Sequence, residues 1–537
     1  MNDLSKIFEN VKDGETIKLD NSVYHVRADD SFFCSGYYCS NTAKKDENPN
    51  GNHNVAVFLK NKKDIIIDGN GACVIVHGKM TPLLFDRCEN IIVKNLTIDY
   101  ECPTMAEFTV VECKKGILDI QINNECLFDI VGNEIIWHGE KDCKDEYYWA
   151  DSWINNKRLM KIYNPQTQLY KELKASKLSA KKIERLSDNR VRIYLKNKLL
   201  HLDSGLIIQT RNIVRDQMGS MFQRCKNLNF TNLSVKFMHG LGMVSQFCEN
   251  VCYINCDFTP KNGRTIASTA DFLHFSGCRG KLVIDSCKAC GAHDDYVNVH
   301  GTHLRVVDSD ISKSQLTVRF CHKETWGLQV FEIGDEIEFI KWDTLIPFAK
   351  SRVCNFQRLN DTDILLSVDN IPDGIVIGKD VVENATWTPD VYIKNCYFGP
   401  TSGRGILCTT RGEVIIENNN FNKLYGPALL VEDDCNFWFE SGYTTNVIFK
   451  NNNVNYCDYG FTWGNSAVIR YTPKVMKKLS TAYVHSQLTL SENNFENSPT
   501  GKFEIHIEYL NKLILNNNIF DAPHKISCHV VGSVDEN

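Results

Sequence analysis

A chain of 537 residues exceeds one ordinary compact domain unless it is a repeat fold that grows by stacking. Its 43% apolar and 23% charged residues suit a soluble globular protein, and a net charge of −6 with no dense basic block argues against nucleic-acid binding. No apolar run approaches the roughly eighteen residues of a membrane span, so no membrane partner is expected.

The first residues, MNDLSKIFENVKDGETIKLD, lack a cationic start, an apolar core and a small-residue cleavage site. A cytoplasmic location is therefore expected, or a secreted one if a leader has been lost. The 22 cysteines are expected to be free thiols in a reducing compartment. Residues 1–60 are expected to cap the first coil of a solenoid, with residues 1–107 holding the cap and the first coils.

The solenoid signal is a short apolar run followed by an asparagine corner. It recurs at residues 63–71 (KDIIIDGNG), 89–96 (ENIIVKNL), 226–233 (KNLNFTNL) and 249–256 (ENVCYINC). Later copies are residues 414–421 (VIIENNNF), 447–454 (VIFKNNNV) and 513–518 (LILNNN). Asn227 to Asn250 and Asn395 to Asn418 are both 23 residues, and Asn494 to Asn518 is 24. That length suits one coil of a β-solenoid, whose apolar faces are buried only by stacking. Asparagine at a corner tolerates left-handed backbone and can bond to its copy one coil away. Leucine-rich and propeller repeats do not match the spacing.

Two stretches break the period. Residues 108–212 and 303–386 lack asparagine corners and carry alternating strands such as residues 191–195 (VRIYL) and 336–340 (EIEFI). They are expected to be inserted β-modules, each a barrel or sandwich. The coils resume at 213–302 and 387–537, which makes the fold class all-β, a parallel β-helix with two insertions. Cys88, Cys225, Cys248 and Cys278 precede strand starts in phase, so they are expected to stack as small buried side chains. Cys287-x-x-Cys290 lacks a second pair, and no metal or other cofactor is expected.

The chemistry points to residues 271–301. Asp271 and Asp294 lie 23 residues apart, one coil, and neighbouring coils run about 4.8 Å from each other. Asp271 is thus expected beside Asp294 or Asp295, with His274, His293 and His300 close by. Crowded carboxylates raise at least one pKa and set a protonated acid beside ionised bases, as glycoside hydrolysis requires. An isolated Asp-Asp pair usually does no more than solvate a turn. Here a third aspartate in phase and the flanking histidines favour a site. In a regular strand Asp294 and Asp295 would face opposite sides, so both act only if they sit at a corner.

Several motifs resemble glycoside hydrolase family 110. They are residues 77–82 (HGKMTP), 238–242 (MHGLG), 271–280 (DFLHFSGCRG), 293–302 (HDDYVNVHGT), 403–411 (GRGILCTTR), and 432–434 (EDD) leading to 438–442 (WFESG). The likeness runs in order over roughly residues 20 to 520. It implies a right-handed parallel β-helix with inserted barrels and an exo-acting, inverting α-1,3-galactosidase that releases galactose from linear or blood-group-B-like ends. It further implies catalytic roles for Asp271, Asp294 and Asp295, with Asp294 as acid and the other two handling the water. Sugar contacts are expected from His274, His293, Asn298, His300, Arg404, Glu432, Asp433 and Trp438. The expected partner is a glycan with terminal α-galactose, and a homodimer is compatible with the sequence. Competing readings are a polygalacturonase-like hydrolase, which would want a basic cleft, a β-helix lyase, and a non-catalytic carbohydrate-binding solenoid.

Overall fold

A computed structural model describes residues 4–152, 158–460, 466–478, 480–497, 503–521 and 526–536. Its trunk is a parallel β-helix of three ladders. One ladder stacks Lys63–Asp68, Glu89–Lys94, Lys226–Thr231, Glu249–Ile254, Arg279–Asp285 and Pro389–Lys394 in parallel. A second stacks Thr81–Asp86, Ser220–Gln223, Met243–Gln246, Leu273–Ser276, Val297–Thr302 and Ile406–Cys408. The third runs through Cys73–His77, Thr97–Tyr100, Ser234–Val235, Asp257–Phe258, Lys288–Ala289 and Tyr397–Phe398.

Stacking places like on like inside the trunk. Phe272, Tyr296, Phe398, Phe421 and Phe449 pile up with ring centroids 5.3, 5.5, 5.0 and 5.6 Å apart. Cys88, Cys225, Cys248 and Cys278 are buried free thiols, and the backbone N–H of Cys88 donates to Cys225 Sγ at 3.4 Å. On another edge the stack begins with Cys256, Cys287 and Cys396 and continues as Asn419, Asn452 and Asn493, each amide bonded to the next. Outside, Asn90, Asn227 and Asn250 turn the corners at φ of 57°, 54° and 57° and link amide to amide at 2.8 and 2.9 Å.

The N-terminal cap is shorter than residues 1–60. The helix Leu4–Glu9 covers the end, but Thr16–Lys18 and Val23–Arg27 already pair in parallel with the next coil. After them the chain leaves the trunk, and Phe32–Cys34 returns antiparallel to His53–Lys60. The loop between those strands reaches the site described below.

Between Met105 and Asn212 the chain builds a seven-stranded antiparallel sheet, with a three-stranded sheet formed by Leu127–Val131, Glu134–His138 and Ala150–Ser152. The two share one apolar cluster that includes Phe108, Phe128, Trp137 and Ile193. Between Leu304 and Asn384 six strands close into a barrel around Val306, Leu316, Phe339 and Leu366. Both insertions leave and rejoin the trunk without breaking its register: Met221 pairs with Leu84, and Asn298 with Leu407.

The buried amide ladder gives a stability prediction. Asn452 Oδ1 accepts from both Asn419 N and Asn419 Nδ2, and its own amide donates to Ile416 O and Asn493 Oδ1. Asn452→Ala strands these buried partners and should lower the unfolding free energy by about 2–3 kcal/mol. The outward neighbour Asn451→Ala should cost less than about 1 kcal/mol, both read from denaturant titrations.

Candidate active site

The site lies on the outer face of the second ladder. Its strands fix a row in which His274 pairs with Asn298 and Asn298 with Leu407. Three residues earlier the same steps set Asp295 over Asp271, 24 residues apart, and Arg404 over Asp295, 109 residues apart. The coil here is thus one residue longer than 23, and the stacked partner of Asp271 is Asp295. Asp294 and Asp295 sit in a bend just before the strand Val297–Thr302, so alternation does not separate them and both reach Arg404.

Close approach of the coils depends on two glycines. A Cβ on Gly403 would meet Asp294 O at 1.9 Å, and one on Gly242, at φ +74°, would meet Asp271 O at 2.2 Å. Only a residue without a side chain lets the bend lie against its neighbours here.

The electrostatics follow from burial. The three aspartates each present an oxygen within 4.8 Å of the others. Asp295 is fully buried and held by a two-point fork from Arg404 Nε and Nη2, the latter at 2.8 Å. Burial works to raise the Asp295 carboxyl, while the fork works to keep it an anion; a charge-assisted contact at two points decides for the ion pair. Burial likewise works against the Arg404 charge, but Asp295 and Asp294 outweigh it and hold the guanidinium cationic. Asp294 is half-buried and lies 3.3 Å from Arg404 and 3.8 Å from Arg215. Asp271 is 2% exposed. Burial, and then the Asp294 charge, push its carboxyl up to about 8 against the pull of Arg215 and Arg404.

These groups floor a pocket of about 530 Å³. Among the expected residues, Asp271, Asp294, Asp295, His274, Asn298, Arg404, Glu432 and Trp438 line it. Asn298 Oδ1 is buried and accepts no hydrogen bond from the described residues. Trp438 is 44% exposed at the rim, with its ring 4.5 Å from that of His322, which the barrel supplies.

Three expectations are corrected. His293 does not line the pocket: its ring is buried between Gln209 (2.9 Å) and Arg211 (3.3 Å), on a strand of the first insertion, and anchors that module. Asp433 turns inward and accepts from His303 at 2.9 Å and Gly442 N at 3.2 Å. His300 is 4% exposed and stands behind His274 rather than at the pocket surface.

Sequence reasoning missed Asn41, Arg215, Asp434 and Glu440, which also line the pocket. Asp434 accepts backbone N–H bonds from Asn436, Phe437 and Trp438 at 2.8, 3.0 and 2.6 Å, which shapes the turn that presents the tryptophan. Glu440 accepts from Asn41 Nδ2 at 2.6 Å, and burial pushes its carboxyl up to about 7. Asn41 is pinned by Thr325 of the barrel at 2.8 Å. Glu440 had a signal, since it lies inside the WFESG motif; Asn41 and Arg215 lie outside every motif.

Among the described residues, two groups of side chains come near enough to share a cation, the aspartates and the set His25, His77 and Glu101. The aspartates already face two guanidinium groups, and His25 and His77 are joined by a direct hydrogen bond of 2.8 Å. Neither is read as a metal centre.

The pocket chemistry also bears on a uronate substrate. Arg264 is spent on Asp99 and Glu125, Arg279 on Glu249, and Arg411 on Glu338 and Glu383. The pocket itself holds six carboxyl groups against Arg215 and Arg404, an acidic lining that repels an anionic sugar.

The family described as GLAA-B beta-barrel domain II matches residues 315–382, within the closed barrel. An α-1,3-galactosidase A of Bacteroides fragilis is 35% identical over 86% of this chain and 74% of its own length. One from Akkermansia muciniphila is 34% identical over 83% of this chain and 72% of its own length. The Yersinia enterocolitica family 28 exopolygalacturonase covers 99% of this chain and 74% of its own at a TM-score of 0.41 and 10% identity, too loose to weigh.

The fork makes a prediction of its own. Arg404→Met leaves Asp295 buried without its counter-charge and should cost about 3–5 kcal/mol of stability by denaturant titration. Adding Asp295→Asn to it should recover part of that loss.

Proposed function

The chain belongs to the α-1,3-galactosidase family of glycoside hydrolases, and from that premise we propose that it removes a terminal α-1,3-linked galactose by a single displacement that inverts the anomeric carbon. The observation that carries this reading is the convergence of Asp271, Asp294 and Asp295 on Arg404 at the floor of one pocket.

The carboxyls divide the work by position. Asp294 is the member open to the pocket and the one from which a proton can reach the leaving glycosidic oxygen. Asp271 and Asp295, on the floor, hold the water and take its proton as it attacks the opposite face of the sugar. Coupled carboxyls hold their protons as a cluster rather than residue by residue. The raised Asp271 supports a cluster that keeps one proton at neutral pH. Arg404 offsets the remaining negative charge so that the floor does not repel itself apart.

Exo action is supported by the walls. A trunk groove on its own would admit a chain running through. Here Asn41 from the N-terminal loop, the barrel loop carrying His322 and Thr325, and the turn 434–440 close around the floor and leave room for a sugar end. Asn298 and Glu432 are placed to bind hydroxyl groups, and Trp438 to stack on an apolar sugar face.

The test is galactose release from an α-1,3-galactosyl disaccharide. The intact protein should release it, and Asp294→Asn and Asp271→Asn should each lose about a hundredfold or more. NMR at early times should see β-galactose first. Inertness on this sugar and on the fucosylated B-type trisaccharide would sink the substrate assignment, and binding without turnover that survives Asp294→Asn would favour a binding solenoid. Activity should fall as the pH rises through about 8, because the cluster then loses its one proton and the floor gains a further negative charge. The groups facing Asp271 in that titration are Asp294, Asp295, Arg215, Arg404 and His274.

A further inference from the structure

His274 and His300 have an arrangement that sugar binding does not explain. They are 1% and 4% exposed, and all four of their ring nitrogens are committed to one chain of contacts within the protein. His300 Nδ1 is 2.6 Å from Gly301 O, His300 Nε2 is 3.0 Å from His274 Nε2, and His274 Nδ1 is 2.9 Å from Asp271 Oδ2.

The proton order along this chain can be worked out from its end. A carbonyl oxygen only accepts, so the proton of His300 sits on Nδ1 and points at Gly301. With both rings neutral, His300 Nε2 is a lone pair, and His274 Nε2 must donate to it. His274 Nδ1 is then also a lone pair. The only arrangement that avoids two lone pairs meeting at 2.9 Å puts a proton on Asp271 Oδ2. Independent burial effects agree: His274 is pushed down to about 3 by burial and then by Arg215, burial also lowers His300, and Asp271 is raised.

The far end meets Glu440. Its Oε1 lies 3.9 Å from His300 Nε2, and Asn41 Nδ2 spans the gap, 2.6 Å from Glu440 and 3.5 Å from His300. Both Asp271 and Glu440 line the pocket, so the chain runs behind its wall from Asp271 to His300, which lies beside Glu440.

We infer that His274 and His300 form a buried proton relay that runs from Asp271 to His300 beside Glu440, holding Asp271 as an acid in the free protein and letting its proton withdraw toward His300 when Asp271 must act on water. In the transfer the Asp271 O–H breaks as His274 Nδ1–H forms, and His274 Nε2–H breaks as His300 Nε2–H forms. Asp271 ends as a carboxylate and His300 as an imidazolium facing Glu440. One proton has moved, with no change in oxidation state. His274 and His300 are thus positioning residues acting through Asp271. The catalytic half of this inference rests on the hydrolytic reading above; the proton order does not.

The groups facing the relay are Asp294, Asp295, Arg215 and Arg404 around Asp271, and Glu440 with the neutral Asn41 around His300. Two measurements test it on the full chain. In the free protein near pH 7, nitrogen-15 NMR of the histidines should find His300 as the Nδ1–H tautomer and His274 as the Nε2–H tautomer. His300 found protonated on Nε2 would overturn the proton order, whether or not the protein cleaves galactosides. In kinetics, His300→Gln keeps an acceptor but cannot pass a proton. It should lower kcat by about ten- to a hundredfold, with KM changed less than about twofold, and displace the alkaline limb of the pH profile. An unchanged pH profile, or a loss confined to KM, would leave His300 as packing and overturn the relay.

Discussion

The Arg404 fork on Asp295 is the contact on which the rest of the site depends. A parallel β-helix stacks each residue on its counterpart one coil away, which helps aromatic rings and amides and penalises like charges. Asp271 and Asp295 are stacked in this way, with Asp294 beside them. Without a cation in the next coil the row would repel itself, and the buried carboxyls would simply take up protons. Arg404 supplies that cation in register, although it lies 109 residues further along the chain. It holds one carboxyl as an anion while leaving the neighbouring Asp271 raised. The difference in environment between adjacent carboxyls is what acid and base work needs.

The insertions make sense from the same starting point. A regular coil offers a groove along the trunk and little to close it. The barrel enters directly after the strand Val297–Thr302 and returns shortly before Arg404, so it hangs beside the floor it helps to wall. Its salt bridges to Arg411 and the His303–Asp433 bond lock it to the trunk. His293, next to Asp294, anchors the first insertion in the same way, and Asp433, next to the pocket residue Glu432, anchors the barrel. Proximity in the chain to an active aspartate therefore does not mean proximity to the substrate, because adjacent residues in a bend can point to opposite sides of the wall.

The trunk and the aspartate row were legible in the sequence because both obey the coil period. Asparagine corners repeat since each must adopt the same left-handed turn, and Asp271 shares a phase with Asp294 and Asp295. The period resolves a partner only to within a residue, and the local coil of 24 selects Asp295. Residues contributed from off the trunk carry no period. Asn41 comes from a loop between antiparallel strands, and Arg215 follows the last strand of the first insertion. Neither could be placed by counting coils. Glu440 was visible within a motif, but nothing in its sequence context separates a pocket carboxyl from a surface one.

The charge balance of the pocket argues for a neutral sugar on physical grounds that do not depend on relatives. Six carboxyls and two guanidiniums share one small volume, and both guanidiniums face aspartates. An anionic substrate would meet guanidiniums that already face aspartates and would add to the repulsion that Arg404 offsets. A galactosyl end brings hydroxyl donors instead. Such donors suit Asn298 Oδ1, buried and unpartnered among the described residues, and the acidic lining around it. Seating a neutral sugar also displaces bulk solvent from around the floor, which strengthens the Arg404 contacts with the aspartates. The same step that recognises the substrate therefore tightens the ion pair that holds the aspartate row together.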